Sequence, residues 1–485
     1  EVACMCKRYR SYNPEQQFLM PPSMRDWLPE RHLCYFISDT FDEMDLSEIE
    51  RVYEKNLRGQ PPYHPGMMTK VLFYAYCTGV FSSRRIASKL EEDVAFRVLA
   101  AGNRPDFRTI SDFRKLHLGA LSKLFKQVLI LCQKAGMARL GHVALDGTKQ
   151  KANASKHKAM SYGRMKEESA RLESEIAKLL ASAQRTDDEE DRQYGADVRG
   201  DELPDELAFR EGRLARIKQA MAELEAEAKK SAGCECEKPV SSDVVEPGSN
   251  EPESAKPKKR GKPSKKPVGV PDDKAQKNFT DPESKIMLAG DKSFIQGYNA
   301  QAAVDSDYQV VVATMVSNQA ADSQHVESMT ENIEENNGRL PDEMSLDAGY
   351  YSNANVEYLK SKHIDMYMPP CRLKHREYRD AKPEPVTEAS TLREQMKSKV
   401  LTDEGRAKYG LRKVTVEPVF GQIKSCMGFR RFSMRGQEAC EFEWSLVCAA
   451  HNLRKLFKYG AVATARKAHE LAYAVGMTDL LPIAA

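Results

Sequence analysis

The chain has 485 residues, 41% of them hydrophobic and 30% charged, with a formal net charge of +3. That length exceeds one compact core and predicts two to four domains. No apolar run approaches the roughly 18 residues of a membrane-spanning helix, and no signal-peptide pattern opens the chain, so we expect a soluble, cytoplasmic protein. Residues 1–140 read as helical. Leu28, Leu33, Phe36 and Ile37 fall at helical spacing. Asp45-Leu46-Ser47-Glu48-Ile49 resembles a capped helix start. Met67 to Val80 is a mostly apolar helix, and Phe81-Ser82-Ser83-Arg84-Arg85 begins another with serines at its N-terminus. Thr109 starts a further helix that continues toward Leu131. Short capped helices with basic first turns suit a helix-turn-helix type of DNA-binding region; a plain helical bundle fits them equally well.

His142-Val143-Ala144-Leu145-Asp146-Gly147 is a short apolar strand that ends in an acid, within a segment at 141–160. Residues 161–230 then change character. Met165, Leu172 and Leu179 recur every seven residues, as do Leu207, Leu214 and Met221, with Ile217 and Leu224 on the neighbouring seam. This predicts an antiparallel helical hairpin closed by an apolar seam. Residues 231–277 are rich in Pro, Lys, Ser and Glu. Lys256 to Lys266 forms a basic arm without periodicity, read as a disordered linker that either neutralises phosphates or is merely solvated. The eleven cysteines show no paired zinc-site spacing, Cys4/Cys6 and Cys234/Cys236 included, and read as reduced, hydrophobic thiols.

Strand patterns resume at 278–460. Gly297 to Val304 and Tyr308 to Val316 flank the turn Asp305-Ser306-Asp307. Helices near 323–335 and 353–362 bracket a second acid-ended strand, Glu343-Met344-Ser345-Leu346-Asp347, and Met366-Tyr367-Met368 is a last short strand. A final helix carries Glu417, and 461–485 is a C-terminal tail. The predicted fold class is therefore α/β: an RNase-H-like catalytic domain, split after its first strand by the helical hairpin and preceded by an all-α domain. Acids at two strand ends, backed by a helical Glu, can converge on a pair of divalent ions about 3.5–4 Å apart, a device for breaking and joining phosphodiester bonds.

Together these residues resemble the DDE transposases of bacterial insertion sequences, most closely the insertion-sequence 1182 group. The similarity runs from Leu19-Met20-Pro21-Pro22-Ser23 to Asn452-Leu453. Its most specific stretches are Arg104 to Thr109, Leu145-Asp146-Gly147-Thr148-Lys149, Ala154 to Tyr162, Gly297 to Gln301, Asp347-Ala348-Gly349-Tyr350 and Val416 to Lys424. The resemblance implies that Asp146, Asp347 and Glu417 hold Mg2+, with Mn2+ as a substitute, and that the N-terminal region binds the terminal inverted repeats. It also implies strand transfer into target DNA, a homodimer or higher assembly on DNA, and a nucleoid-associated location.

Related transposases carry Tyr, Arg, Glu and Lys around the last acid. Here Lys424 matches the Lys and Lys413 stands at the Arg position, with Arg412 beside it; Tyr409 lies one residue upstream of the expected spacing. Lys424 falls two helical turns after Glu417 and is expected to hold a substrate phosphate. Lys149, Asn299, Lys413, Arg430, Arg431 and Arg435 are further candidate DNA contacts, though strand-end hydrogen bonding or a solvated basic face would account for them too. Trp444 reads as core. Three close carboxylates should push at least one pKa upward when no metal is bound. Two rival readings remain: a nuclease that cuts without joining, and a catalytically silent DNA-binding protein.

Overall fold

The computed structural model describes residues 23–54, 61–194, 205–235, 270–290, 292–371, 381–387 and 390–474. The basic arm at 256–266 and the Cys4/Cys6 pair lie outside them. The first part of the chain is helical: α1 (Leu33–Asp42), α2 (Ser47–Glu54), α3 (Pro65–Cys77), α4 (Ser83–Glu92), α5 (Val94–Leu99), α6 (Phe107–Leu116) and α7 (Leu118–Lys134). Side chains of His32, His64, Asp93 and Asp106 accept first-turn amides of α1, α3, α5 and α6, satisfying donors that a helix cannot satisfy itself. α3 is apolar over most of its circumference and is buried from Met68 to Cys77 except at Lys70, which pairs with Asp42. The single helix expected from Thr109 to Leu131 is instead two, because His117 leaves helical geometry (φ −106°, ψ 14°). Its buried ring bonds the Tyr53 hydroxyl at 2.9 Å, a contact that the turn makes possible.

The sheet is built around β1 (His142–Lys151). On one side β1 pairs antiparallel with β5 (Phe294–Asp305), with Asp146 opposite Ala302 and Lys149 opposite Asn299. β5 pairs antiparallel in turn with β4 (Lys285–Leu288) and β6 (Val311–Ser317). On its other side β1 pairs parallel with β7 (Glu343–Leu346), which pairs parallel with β8 (Asp365–Tyr367). The alternation of strands and helices after β6 follows the order read from the sequence; β4 was not foreseen. α10 (Val326–Asn337) and α11 (Asn353–Ser361) supply the crossovers. α12 (Leu392–Leu401), α13 (Asp403–Gly421) and α14 (Gln437–Ala474) complete the chain. The last of these runs on past residue 460 as helix.

One continuous core extends from Cys34 in α1 through the sheet to Ala463 in α14. The N-terminal helices therefore share their interior with the sheet instead of closing a core of their own. At the junction Phe81 packs edge-on against Phe429, with centroids 5.1 Å apart. Gly79 sits beside them at φ +78°, and a Cβ there would stand 2.4 Å from the Met427 carbonyl oxygen, so only glycine allows this approach. Trp444 is fully buried, as expected.

The inserted segment leaves and rejoins through a small two-stranded ladder, β2 (Ala159–Ser161) against β3 (Gln276–Asn278). Between them α8 (Tyr162–Tyr194) and α9 (Asp205–Glu235) form the hairpin. Its seam is a second core of Tyr162, Met165, Leu172, Ile217 and Leu224, with Leu214 and Met221 packed against it; of the heptad positions read from sequence, Met165, Leu172, Ile217 and Leu224 are buried there, and Leu179 is not part of it. Among the described residues no helix is long and apolar enough to cross a membrane.

Candidate active site

Asp146 lies midway along β1, where the strand crosses the centre of the sheet. Asp347 follows the last residue of the neighbouring parallel strand β7, and Glu417 is on α13, which packs over both. The parallel register sets Leu145 opposite Leu346, so the two aspartates emerge side by side. All three acids meet one cation, the guanidinium of Arg412. Its Nη1 is 2.6 Å from Asp146 Oδ2, and its Nη2 is 3.1 Å from Glu417 Oε1 and 3.9 Å from Asp347 Oδ1. Arg412 is buried. Among the described residues no three His, Cys, Asp or Glu side chains stand close enough to share one ion. The acids are gathered at the spacing of a guanidinium clamp, and their hard oxygen donors are of the kind that suits Mg2+.

Burial pushes the Asp146 carboxyl up to about 6; Arg412 and the Gly147 N–H pull it back, while Asp347 and Asp322 raise it further. A raised carboxyl is expected from repulsion among the three acids; Asp146 is raised, but foremost by burial, with Asp347 a minor cause. Tyr409 donates to Asp347 Oδ1 at 3.4 Å, and the Arg412 guanidinium lies 5.8 Å from the Tyr409 ring centroid. Lys424 stands where α13 widens into a π-helical turn, Gln422–Cys426. Its ammonium donates to Thr148 Oγ1, two residues past Asp146 on the same face of β1.

Beneath this cluster is a buried polar cradle that the sequence did not reveal. Asp322 Oδ1 accepts from Asn299 Nδ2 at 2.7 Å, Gln301 Nε2 at 2.9 Å and Lys149 Nζ at 3.1 Å. Gln301 in turn accepts from the Tyr350 hydroxyl and, through its backbone carbonyl, from Trp444 Nε1 at 2.9 Å. Gly147 closes over the cradle. A Cβ there would lie 2.3 Å from Gln301 Nε2 and 2.9 Å from both Asn299 Oδ1 and Asp322 Oδ1, which explains why a glycine follows Asp146.

Three of the candidate residues are placed as follows. Lys413 is exposed on α13, and the group that reaches the acids is Arg412; both helper residues, Tyr409 and Arg412, are displaced one position upstream, so their mutual spacing is kept. Asn299 is fully buried and its Nδ2 donates to Asp322 and Gln319, the hydrogen-bonding alternative read from the sequence. Lys149 is ion-paired to Asp322 and only 17% exposed, which gives it a place in the same cradle. Arg430, Arg431 and Arg435 are exposed. Arg430 and Arg435 are steadied by the carbonyls of Lys424 and Asn153.

Residues 264–453 match the family model described as Transposase DDE domain, and residues 22–116 match the one described as Transposase domain (DUF772). Two segments of the chain are thus similar to transposase domains. Asp347, Glu417 and Lys424 fall inside the DDE match. Asp146 falls between the two matches and is brought into the transposase sheet by the pairing of β1 with β5 and β7. No curated protein and no solved structure matches the chain.

Proposed function

We propose that the chain is a metal-dependent DNA transposase of the insertion-sequence 1182 group, with an RNase-H-like catalytic domain split after β1. It binds the ends of its element, hydrolyses a phosphodiester at each end, and joins the 3′-hydroxyls to target DNA. The observation that carries this reading is the convergence of Asp146, Asp347 and Glu417 on a single guanidinium, from two adjacent strands and one helix of a transposase DDE domain. Asp146, Asp347 and Glu417 would hold Mg2+, with Mn2+ as a substitute. Held by these three acids, divalent ions would supply activation of the attacking oxygen and stabilisation of the leaving one.

The chain's own residues supply the remainder. Arg412 offsets the repulsion among the three acids. Lys424, tethered to Thr148 beside Asp146, holds a substrate phosphate as a point charge. Arg430, Arg431 and Arg435 extend the positive surface along the duplex. The N-terminal helices contact the terminal repeats. Two ends must be held together, so a dimer or higher assembly on DNA is expected.

The test is strand cleavage of DNA carrying the element's ends, in Mg2+, by wild type and by Asp146→Asn, Asp347→Asn and Glu417→Gln. Each substitution should reduce cleavage at least 100-fold while leaving duplex binding intact; wild-type cleavage by any variant removes that residue from the site. A pre-cut 3′-hydroxyl end offered with plasmid target then separates joining from mere cutting. Binding without cleavage in either Mg2+ or Mn2+ would identify a silent DNA-binding protein.

A further inference from the structure

A recess of about 710 Å3 opens between the base of the inserted hairpin and the chain that leads into it. Its floor is apolar: Ile217 of α9 belongs to the hairpin seam, and Met160 of β2 and Phe279 pack against that seam. Its walls are basic. Lys158, with His157 beside it, comes from the turn before β2, Arg164 from the first turn of α8, and Arg213 and Arg216 from α9. Among the described residues no carboxylate lines the recess. Arg213 is steadied from outside it by Glu168 at 2.8 Å. At the rim the Phe209 ring is 71% exposed and takes no part in the seam.

The recess continues the basic face beside the acids. β1 carries the chain from Asp146 to Lys151, about 17 Å of strand. Beyond it the Phe432 N–H donates to the Lys151 carbonyl at 2.9 Å, and Arg435 Nε donates to the Asn153 carbonyl at 3.2 Å. The turn Lys156–Lys158 follows. Arg430, Arg431, Arg435, Lys156 and Lys158 are all exposed. Cations therefore run from the Lys424 ammonium on Thr148 to the mouth of the recess.

We infer that this recess seats unpaired nucleotides of a DNA strand running away from the catalytic acids. A phosphate by itself would use only the walls, and a duplex keeps its base faces stacked on one another. An unpaired nucleotide uses the whole site: its phosphate meets the cationic walls, and its base lies against Phe209 and the apolar floor. The inference rests on the reading of the chain as a DNA transposase. It gives the inserted hairpin a ligand of its own, apart from the N-terminal helices and the basic segment after Lys424.

The experiment is fluorescence anisotropy of the full chain, across a potassium chloride series, with a labelled random-sequence duplex that is either blunt or carries a single-stranded tail of about ten nucleotides. Wild type should bind the tailed duplex roughly tenfold tighter. Phe209→Ala should remove that preference and leave blunt-duplex affinity unchanged; the ring is exposed, so its loss spares the fold. Gly212→Met should do the same. Gly212 lines the recess and nothing stands within 4 Å of a Cβ built there. Methionine is also the better helix former, so the melting temperature should hold or rise while the opening fills. Arg164→Gln/Arg216→Gln should flatten the tailed duplex's slope of log affinity against log salt by about one to two. Equal wild-type affinity for the two duplexes, a tail preference that Phe209→Ala or Gly212→Met keeps, or an unaltered slope overturns this inference alone. Equal losses on blunt and tailed DNA make the recess a duplex contact and sink the unpaired assignment. A wild-type chain that binds neither duplex at any salt overturns the transposase reading, and this inference with it. Calorimetric titration with deoxyadenosine monophosphate covers the free ligand. Binding that Gly212→Met abolishes, alongside an unaltered tail preference, would make this a free-nucleotide site and sink the strand assignment.

Discussion

Arg412 shows how much one side chain can decide. Three acids within reach of one another repel, and its guanidinium offsets that repulsion from a buried position on α13. Removing it leaves Asp146 with a buried charge, no cation and only the Gly147 N–H, while Asp347 and Glu417 are about half exposed and suffer less. Arg412→Gln should therefore destabilise the metal-free chain by about 2 kcal/mol. The same variant should gain more melting temperature from added Mg2+ than wild type does, because a bound cation then takes over the neutralisation. An equal gain in both would show that Arg412 does not share the acids with metal. The state of Asp146 sets a second expectation. Its carboxyl is pushed up to about 6, chiefly by burial, so protons compete with metal below that pH. Mg2+ affinity, measured by calorimetry, should be flat above about pH 7 and approach a tenfold loss per unit below 6. The acids stood out in sequence at the ends of apolar runs and on a helix, although β1 in fact runs on past Asp146 to Lys151; the choice of Arg412 over Lys413 was not readable. A helix residue four positions from Glu417 looks nearer than one five away, and only the packing of α13 on β1 and β7 shows which turns inward. The clue in the sequence was the pair: Tyr409 and Arg412 are both displaced by one, together.

At the scale of elements, alternating and acid-ended apolar runs made β1, β5, β6 and β7 legible, and heptads gave α8 and α9. β4, β2 and β3 were not legible, because three- and four-residue strands with Lys285, Gln276 or Asn278 in them carry too little apolar alternation to stand out. The cradle was hidden for a different reason. Asp322 follows two alanines in a connection and looks like an ordinary helix start; its partners Lys149, Asn299 and Gln301 become its neighbours only once the register of β1 on β5 is fixed. That register gives Gly147 its importance. Gly147→Ala would drive a Cβ into Gln301, Asn299 and Asp322, and since these are held by mutual hydrogen bonds they cannot yield singly. We expect a cost of about 1–3 kcal/mol in stability and a displaced Asp146. DNA cleavage should fall at least 100-fold, with duplex binding retained. Near-normal cleavage by this variant would mean that the cradle does not position Asp146.

For the whole molecule, the shared core of the N-terminal helices and the sheet couples distant buried ionisable groups into one unfolding event, and their signs oppose. His142 and His451 are both lowered to about 4, foremost by burial. Between pH 6.5 and 4 the unfolded chain binds protons at these positions that the native chain does not, so each loses stability as pH falls through that window. Asp146 and Asp305 are both raised to about 6, again foremost by burial. Between pH 6 and about 4 the native chain binds the extra protons, so each gains stability as pH falls. A two-unit shift corresponds to roughly 3 kcal/mol, and the two pairs oppose each other in the melting temperature in EDTA from pH 6 to 4.5; buried His117 and His325 are lowered too and Glu441 is raised, so each variant below is read relative to wild type. Single substitutions should expose the hidden slopes. His451 bonds the Gln309 carbonyl at 3.0 Å, and His451→Gln keeps a donor there while removing the titration; its melting temperature should climb on acidification. Asp305 accepts from the Leu140 amide at 2.8 Å, and Asp305→Asn keeps that acceptor; its melting temperature should drop over the same range. Parallel profiles in the two variants would mean that these groups do not set the acid response, and that the common core does not link them.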